Sequence, residues 1–297
     1  MNNLIAVSKN IEGAMTASEV LEKSGLNWQT EKQSVYTKEL KSIPSTFVVV
    51  RKDTQYPLGV VGGVYQAYDN KELVQTLETL VTEKLVTFKR GWCWQGGAKV
   101  GIVADIPKHL YVLGKDELAV QITARNSFDG SSPVGYSVDV LRLICSNGLK
   151  RFVTNSFIKA RHCANTEYRL LNAREILKLA VSNLDDVLDQ AEAMARKKAN
   201  TELVDRFLEG LNLHKIENET TQRENKRYNL LRTFDRGIGL SDPLYRHSVW
   251  SLYNAAVETV DHRTGLADTE TKAIFAEYCS GATFKAEALK EALALVA

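Results

Sequence analysis

The feature that most constrains the fold is a change of sequence pattern near residue 165. Before it, short apolar and β-branched runs are separated by Gly, Pro and Asp-Gly, a pattern that predicts strands and tight connections. After it, apolar residues recur at helical spacing. Strands in one block and helices in another predict an α+β fold: a mainly antiparallel β-sheet with a packed helix in the N-terminal half, followed by a helical C-terminal half. We divide the chain into an N-terminal helical arm at 1–40, a β-rich domain at 41–164 and a helical region at 165–297.

Strand signals fill the β-rich domain. The β-branched run TFVVVRK at 46–52 predicts a strand. Further along the chain, two apolar segments flank Gly96-Gly97, which predicts a hairpin with its turn at these glycines. The segments ELAVQITARNSF and GYSVDVLRLICS then flank a polar loop that contains Asp129-Gly130, a typical turn dipeptide. A helix over about 71–83 interrupts the strands, with Asn70 as its N-cap. Because the connections have hairpin length, we predict a mainly antiparallel sheet over 46–152 with this helix packed on it.

Helices are predicted on both sides of the strands. The capping box Thr16-Ala17-Ser18-Glu19 begins a short helix that ends near Gly25. Asn165 or Thr166 can begin a helix that continues to about Met194. Further amphipathic segments follow at about 201–212, 219–235, 244–262 and 270–295.

The segment SVWSLYNAAVETVDHR carries a regular buried face. Its apolar positions predict core packing, with Trp250 at the margin of that face. We interpret Asp261 and His262 as a structural feature at the helix C-terminus, where the helix dipole favours a protonated histidine. The predicted core positions are Val249, Leu252, Tyr253, Ala256, Val257 and Val260.

Composition excludes several classes of protein. The sequence has no run of 18 apolar residues, so no membrane-spanning helix is expected. Its first residues lack the pattern of a secretory signal. Four cysteines are scattered without CxxC spacing, which is typical of reduced thiols. A cytoplasmic protein without a membrane partner is the expectation.

The distribution of charge says more than the formal net charge of +2. Between Leu141 and Arg174, Glu167 is the only acidic residue among seven basic ones, whereas 185–224 contains more acids than bases. A concentration of cations of this kind favours contact with a phosphate backbone, because neutralised phosphates release counterions. The basic residues of the span are Arg142, Lys150, Arg151, Lys159, Arg161, Arg169 and Arg174.

A second basic cluster, FKRGWCWQGGAK, interleaves cations with Trp92 and Trp94. Alternate residues of a strand share one face, so both rings are exposed for stacking on unpaired bases or both are core. We leave both alternatives open, since tryptophan is usually well buried. The predicted nucleic-acid-binding residues are Lys89, Arg90, Trp92, Trp94, Lys99, Arg125, Arg142, Lys150, Arg151, Lys159 and Arg161. We expect the loop at 126–133 to join adjacent strands, with Arg125, Arg142, Lys150 and Arg151 around one rim of the sheet.

Signals for catalysis and metal binding are weak. LGVVGGV lacks the spacing of a phosphate-binding loop, and its glycines are better explained by sheet packing. His162 and Cys163 could join Cys145 or His262 around zinc, or form a Cys–His nucleophilic pair, but zinc sites usually have regular ligand pairs. Free cysteines are usually core. We therefore predict no catalytic residue, metal or cofactor.

Four segments occur in order along the chain: PLGVVGGVYQAYDN, NSFDGSSPVGYSVDVLRLICSNGL, ARHCAN and SVWSLYNAAVETVDHR. Together they resemble the phage/plasmid-like protein family, whose shared domain is of unknown function (nine-three-two). The resemblance implies a phage, prophage or plasmid origin and no established chemistry.

Three functions follow as hypotheses. The first is single-stranded nucleic-acid binding by a homo-oligomeric annealing or recombination factor, a fold-level analogy with single-strand annealing proteins. The second is an anti-defence interaction protein that binds a host defence protein. The third is a nuclease or hydrolase.

Overall fold

The computed structural model describes residues 6–143, 147–149, 157–182, 184–216, 220–261 and 280–297. It confirms a mixture of helices and antiparallel sheets, with helices dominating after residue 165. Within the described part of the chain, no helix is long and apolar enough to cross a membrane.

The larger sheet has seven strands: β1 Ala6–Asn10, β5 Thr87–Trp94, β6 Lys99–Val112, β7 Asp116–Ser127, β8 Val134–Arg142, β9 Asn147–Leu149 and β10 Phe157–Ala160. Their order in the sheet is β1-β5-β6-β7-β8-β10, with β9 paired to β8. Each pair whose register is defined is antiparallel, and the short β6–β7 and β7–β8 connections leave no room for a parallel crossover.

A second sheet is formed by β2 (Thr30–Tyr36), β3 (Ser42–Arg51) and β4 (Pro57–Gly62), again with antiparallel pairing. The strands between 46 and 152 are therefore divided between two sheets, where the sequence led us to expect one. The strands β1 and β2 lie in the region that we predicted as a helical arm. Their β-branched content is low, so pairing with β5 and β3 determines their conformation more than local propensity does.

Two helices precede the large sheet's central strands. The first, α1 (Ala17–Ser24), has the predicted capping box and ends at Gly25 with a φ of 74°. The second, α2 (Asn70–Thr82), confirms the predicted helix, but Asp69 is its N-cap. The Tyr136 hydroxyl donates to the carbonyl oxygen of Leu73 at 3.2 Å and anchors α2 on β8.

The predicted helix from residue 165 to Met194 is interrupted by a turn at residues 171–172, so that prediction is wrong in its continuity. The other amphipathic segments form helices near their expected positions. The helices are α3 Thr166–Leu170, α4 Ala173–Ser182, α5 Leu184–Arg196, α6 Thr201–Gly210, α7 Thr221–Arg236, α8 Val249–Asp261 and α9 Ser280–Ala294.

The chain divides into two compact units, each made of several segments. One comprises Met1–Pro107, Gln121–Val138 and Asn155–Val181, and the other comprises Lys108–Val120, Asp139–Thr154 and Ser182–Ala297. The consecutive division into 1–40, 41–164 and 165–297 remains a prediction. The compact units cut across it, because β6, β7 and β8 each contribute residues to both.

In the second unit, α8 is the central helix. Every residue from Val249 to Val260 is buried, and α5, α7 and α9 contact the helix. The six predicted core positions are confirmed, but Trp250 is fully buried and not at a margin. The polar residues of this helix, among them Ser251, Asn254 and Glu258, are buried as well, so the sequence pattern does not show which side is covered.

Candidate functional site

A concave site lies within the first unit, where separate segments of the chain meet. Its volume is about 560 Å³, within the range of pockets that hold small ligands. The walls come from the end of β4 and the residues after it, the β7–β8 loop, β10 with the residues after it, and α3. We call this site the basic cleft; its described lining residues are Gly62, Val64, Tyr65, Gly130, Ser131, Ser132, Pro133, Lys159, Arg161, His162 and Arg169.

The β7–β8 loop is held in place by close backbone contacts. A Cβ atom on Gly59 would lie 2.4 Å from the Cα atom of Asp129, so glycine allows β4 to approach this loop. Gly130 has a φ of 72°, a left-handed conformation that glycine adopts without strain. The Ser127 hydroxyl donates to the Ser132 carbonyl oxygen at 2.6 Å and accepts from the Ser132 N–H at 3.2 Å. These contacts fix one wall of the basic cleft.

His162 forms an inner wall of the cleft, with only 8% of its surface accessible. Its ring stacks on Tyr65, with 4.9 Å between the ring centroids and 29° between the planes. The Tyr65 hydroxyl donates to the carbonyl oxygen of Ser127 at 2.8 Å, which fixes the stacked pair. Both ring nitrogens of His162 are shielded from solvent, and backbone groups of Gln66 and Ser132 lie close enough to act on them. The ring is therefore a packed part of the cleft wall.

Burial lowers the pKa of the His162 imidazole below its ordinary value. Backbone groups of Gln66 and Ser132 and the carboxylate of Asp129 act in the opposite direction without cancelling this effect. Burial also raises the pKa of Tyr65. At neutral pH the cleft therefore contains a neutral imidazole and a protonated phenol.

Three cationic side chains line the cleft and are exposed to solvent. Lys159 extends from β10, Arg161 follows that strand, and Arg169 belongs to α3. The described lining residues include no Asp or Glu. The nearest loop carboxylate, Asp129, accepts hydrogen bonds from the Ser131 N–H at 2.9 Å and hydroxyl at 2.6 Å.

The hydroxyl of Thr166 organises the turn that carries these cations. It accepts from the Cys163 N–H at 3.0 Å and lies 2.7 Å from the carbonyl oxygens of both Arg161 and Cys163. The turn thus joins β10 directly to α3 and brings Arg161 and Arg169 to one site. Several N–H donors around a concave surface are suited to bind an oxyanion such as phosphate.

The tryptophan prediction is resolved in favour of the core alternative. Trp92 and Trp94 share one face of β5, but their exposed fractions are 2% and 7%. Trp92 lies against Gly101 of the paired strand, where a Cβ atom would be 2.3 Å from the indole Cζ2 atom. Neither ring is available to stack on a base, so their assignment to a binding site was wrong.

Arg142 was also wrongly assigned to an exposed rim. Its side chain is fully buried and its Nε donates to both carboxylate oxygens of Asp116, at 2.9 and 2.7 Å. The guanidinium also donates to the carbonyl oxygens of Ile238 at 3.1 Å and Gly239 at 3.0 Å. The indole N–H of Trp250 donates to the same carboxylate at 2.8 Å. This buried network lies within the second unit and serves its core.

The remaining predicted cations are distributed differently. Lys89 is paired with Asp105 at 2.5 Å, and Arg90, Lys99 and Arg125 are half-buried and do not line the cleft. Lys150 and Arg151 lie outside the described residues. Of the predicted set, the basic cleft brings together Lys159 and Arg161.

Metal binding finds no support in the described part of the chain, where no three His, Cys, Asp or Glu side chains form a group that could hold an ion. Cys163 is half-buried with a free thiol. Cys145 and His262, the other candidates, lie outside the described residues.

Sequence reasoning missed Arg169, His162 and Tyr65 as partners in one site. Arg169 lies in the almost acid-free span between Leu141 and Arg174. The charge pattern alone could therefore have added it to the predicted binding residues. The stacked rings of Tyr65 and His162 lie almost a hundred positions apart in the sequence, and no local sequence pattern predicts their contact.

Comparison with known proteins was made at the level of curated proteins, solved structures and family models. No curated protein and no solved structure is found to be similar to the chain. A family model described as "Domain of unknown function (DUF932)" matches residues 57–278, which include the whole basic cleft. The chain therefore belongs to the DUF932 family.

Proposed function

We propose that the protein binds single-stranded nucleic acid through the basic cleft. The observation that carries this proposal is the convergence of Lys159, Arg161 and Arg169 on one concave surface without a lining carboxylate among the described residues. Cations gathered in this way attract phosphates and release their counterions, which gives affinity without sequence preference.

A role in annealing or recombination on a mobile element follows as part of the proposal. It depends on the phage or plasmid setting that the family resemblance implies. Self-association into a homo-oligomer is expected for such a role and remains a prediction.

The test is fluorescence anisotropy with short single strands at two salt concentrations. Each phosphate neutralised on a single strand should contribute about 0.7 log units of affinity per log unit of salt. The double variant Arg161→Gln/Arg169→Gln should weaken binding to strands of any sequence. It should also reduce the slope of log affinity against log salt concentration by the contribution of about one to two phosphates.

A control of equal charge is available on the hairpin between β2 and β3. Lys38 and Lys41 are exposed and lie in the same unit, so Lys38→Gln/Lys41→Gln removes the same charge away from the cleft. Binding should be affected far less by this control. Absence of wild-type binding at low salt, or equal effects of the two double variants, would contradict the assignment.

A further inference from the structure

We propose that Tyr168 stacks on an unpaired base of a single strand whose phosphates lie in the basic cleft. This inference rests on the proposed function and specifies which side chain holds the bases. Among the described residues, the four most exposed large hydrophobic side chains are those of Val64, Leu40, Tyr168 and Leu171, at 86%, 82%, 77% and 68%. Val64 lines the cleft, and Tyr168 and Leu171 lie within two positions of Arg169, which also lines it. Single exposed apolar residues are ordinary, whereas a group of them around one concavity indicates a binding site.

The helix α3 is anchored on one face and open on the other. Thr166 and Leu170, which share one helix face, are buried, and the helix packs against β10. The hydroxyl of Thr166 also holds the turn that leads into the helix. The side chain of Tyr168 makes no hydrogen bond, ion pair or ring contact with any other residue that the structure describes. An anchored helix thus presents a free aromatic ring next to Arg169.

The charges beside Tyr168 favour a polyanion as the occupant over an apolar protein segment. Arg161 and Arg169 line the cleft, and neither has a carboxylate of a described residue within ion-pair distance. The neighbouring carboxylate of Glu167 acts on α2, because burial and Glu167 both raise the pKa of Glu72 in the first turn of that helix. A nucleic-acid strand offers phosphates and flat aromatic faces along one molecule, which matches cations and an aromatic ring placed side by side.

An exposed ring selects bases that are unpaired. Bases inside a duplex are covered on both faces by their neighbours, whereas a base of a single strand can turn one face to an aromatic side chain. Every base has such a face, so stacking on Tyr168 adds affinity for strands of any sequence. Tyr168 thus takes the stacking role that the buried rings of Trp92 and Trp94 cannot perform.

The test compares, by fluorescence anisotropy, an oligonucleotide with an abasic strand of the same length and charge. Tyr168→Ala should lower affinity for the base-containing strand about fivefold or more, the cost of losing one base–aromatic stack. Affinity for the abasic strand should not change. Because the variant removes no charge, the slope of log affinity against log salt concentration should also stay the same. Tyr168→Phe keeps the ring and should bind both strands like the wild type.

The matched control is Tyr36→Ala. Tyr36 is also an exposed tyrosine of the first unit, lies on β2 and does not line the cleft, so its replacement should leave binding of both strands unchanged. Tyr168→Leu keeps an apolar side chain without a ring. It should show the same selective loss as the alanine variant, and it replaces that variant if alanine impairs folding.

The outcomes separate this inference from the proposed function. Salt-sensitive binding of the base-containing strand that is the same in the wild type and Tyr168→Ala would overturn stacking and leave strand binding intact. An equal loss of affinity for the base-containing and abasic strands would overturn stacking as well, because the ring would then act without a base. Absence of wild-type binding to either strand at low salt would overturn both proposals and leave the apolar group around the cleft to a protein partner.

Discussion

Replacing Arg142 with methionine should destabilise the second unit severely and leave the basic cleft chemically intact. The substitution keeps an unbranched side chain of comparable length and removes the guanidinium. Asp116 would then be a buried carboxylate whose remaining described donor is the indole N–H of Trp250. The carbonyl oxygens of Ile238 and Gly239 would lose their hydrogen bonds from the guanidinium.

The expected cost is about 3–5 kcal/mol in the free energy of unfolding, the range for a buried ion pair that loses one partner. The two carbonyl oxygens add less than the carboxylate, because they are only part-buried and water can replace the lost donor. Such a loss is a large share of the total stability of a typical domain, about 5–15 kcal/mol. The double variant Asp116→Asn/Arg142→Met removes both charges and keeps an acceptor for Trp250. It should be more stable than Arg142→Met alone by about 1–3 kcal/mol.

Urea unfolding followed by tryptophan fluorescence measures these differences, since Trp250 is part of the network. Arg236→Met is the control: Arg236 is largely exposed in the same unit, and its replacement should leave the unfolding midpoint unchanged. A loss below about 1 kcal/mol in Arg142→Met would refute the structural role. If Arg142→Met had wild-type stability but bound single strands more weakly, the assignment of Arg142 to the binding surface would be supported instead.

Two further predictions concern single sites in the first unit. Gly101→Ala should cost about 1–3 kcal/mol, because its methyl group would overlap the buried ring of Trp92, whereas Gly62→Ala has open space and should cost little; urea unfolding of both variants tests this. Because burial lowers the pKa of His162 in the folded chain, the unfolded chain binds that proton first as pH falls below about 6.5. Stability should then decrease by up to about 1.4 kcal/mol per pH unit between about pH 6.5 and 5.5, and His162→Gln should show a smaller pH dependence in the same assay. An equal pH dependence in both proteins would show that His162 is not the group responsible.

The parts of the fold that sequence predicted are those determined by neighbouring residues. The capping box at Thr16 and the turn at Gly96-Gly97 involve residues within a few positions of each other, and both are observed. The strand β1 pairs with β5, about 80 residues later, and its own sequence gives no strong strand signal. Division of the strands into two sheets is likewise a property of long-range pairing, which one sequence does not contain.

The candidate site shows why a run of cations is an ambiguous signal. Lys159 lies in β10, the last strand in the sheet order, and alternates with buried Ile158 and Ala160, so one face of that strand reaches solvent. Arg142 ends β8, which has partners on both sides and is buried on both faces along almost its whole length. A cation on such a strand must find a carboxylate inside the protein, and Asp116 provides it from β7. Lys159 and Arg142 belong to the same basic span but have opposite roles. The difference is determined by whether the strand lies at the edge or in the centre of the sheet. Pairing partners far away in the chain distinguish an edge strand from a central one. The basic span therefore led us to predict an anion site, and the fold determines which of its cations line the cleft that we propose as that site.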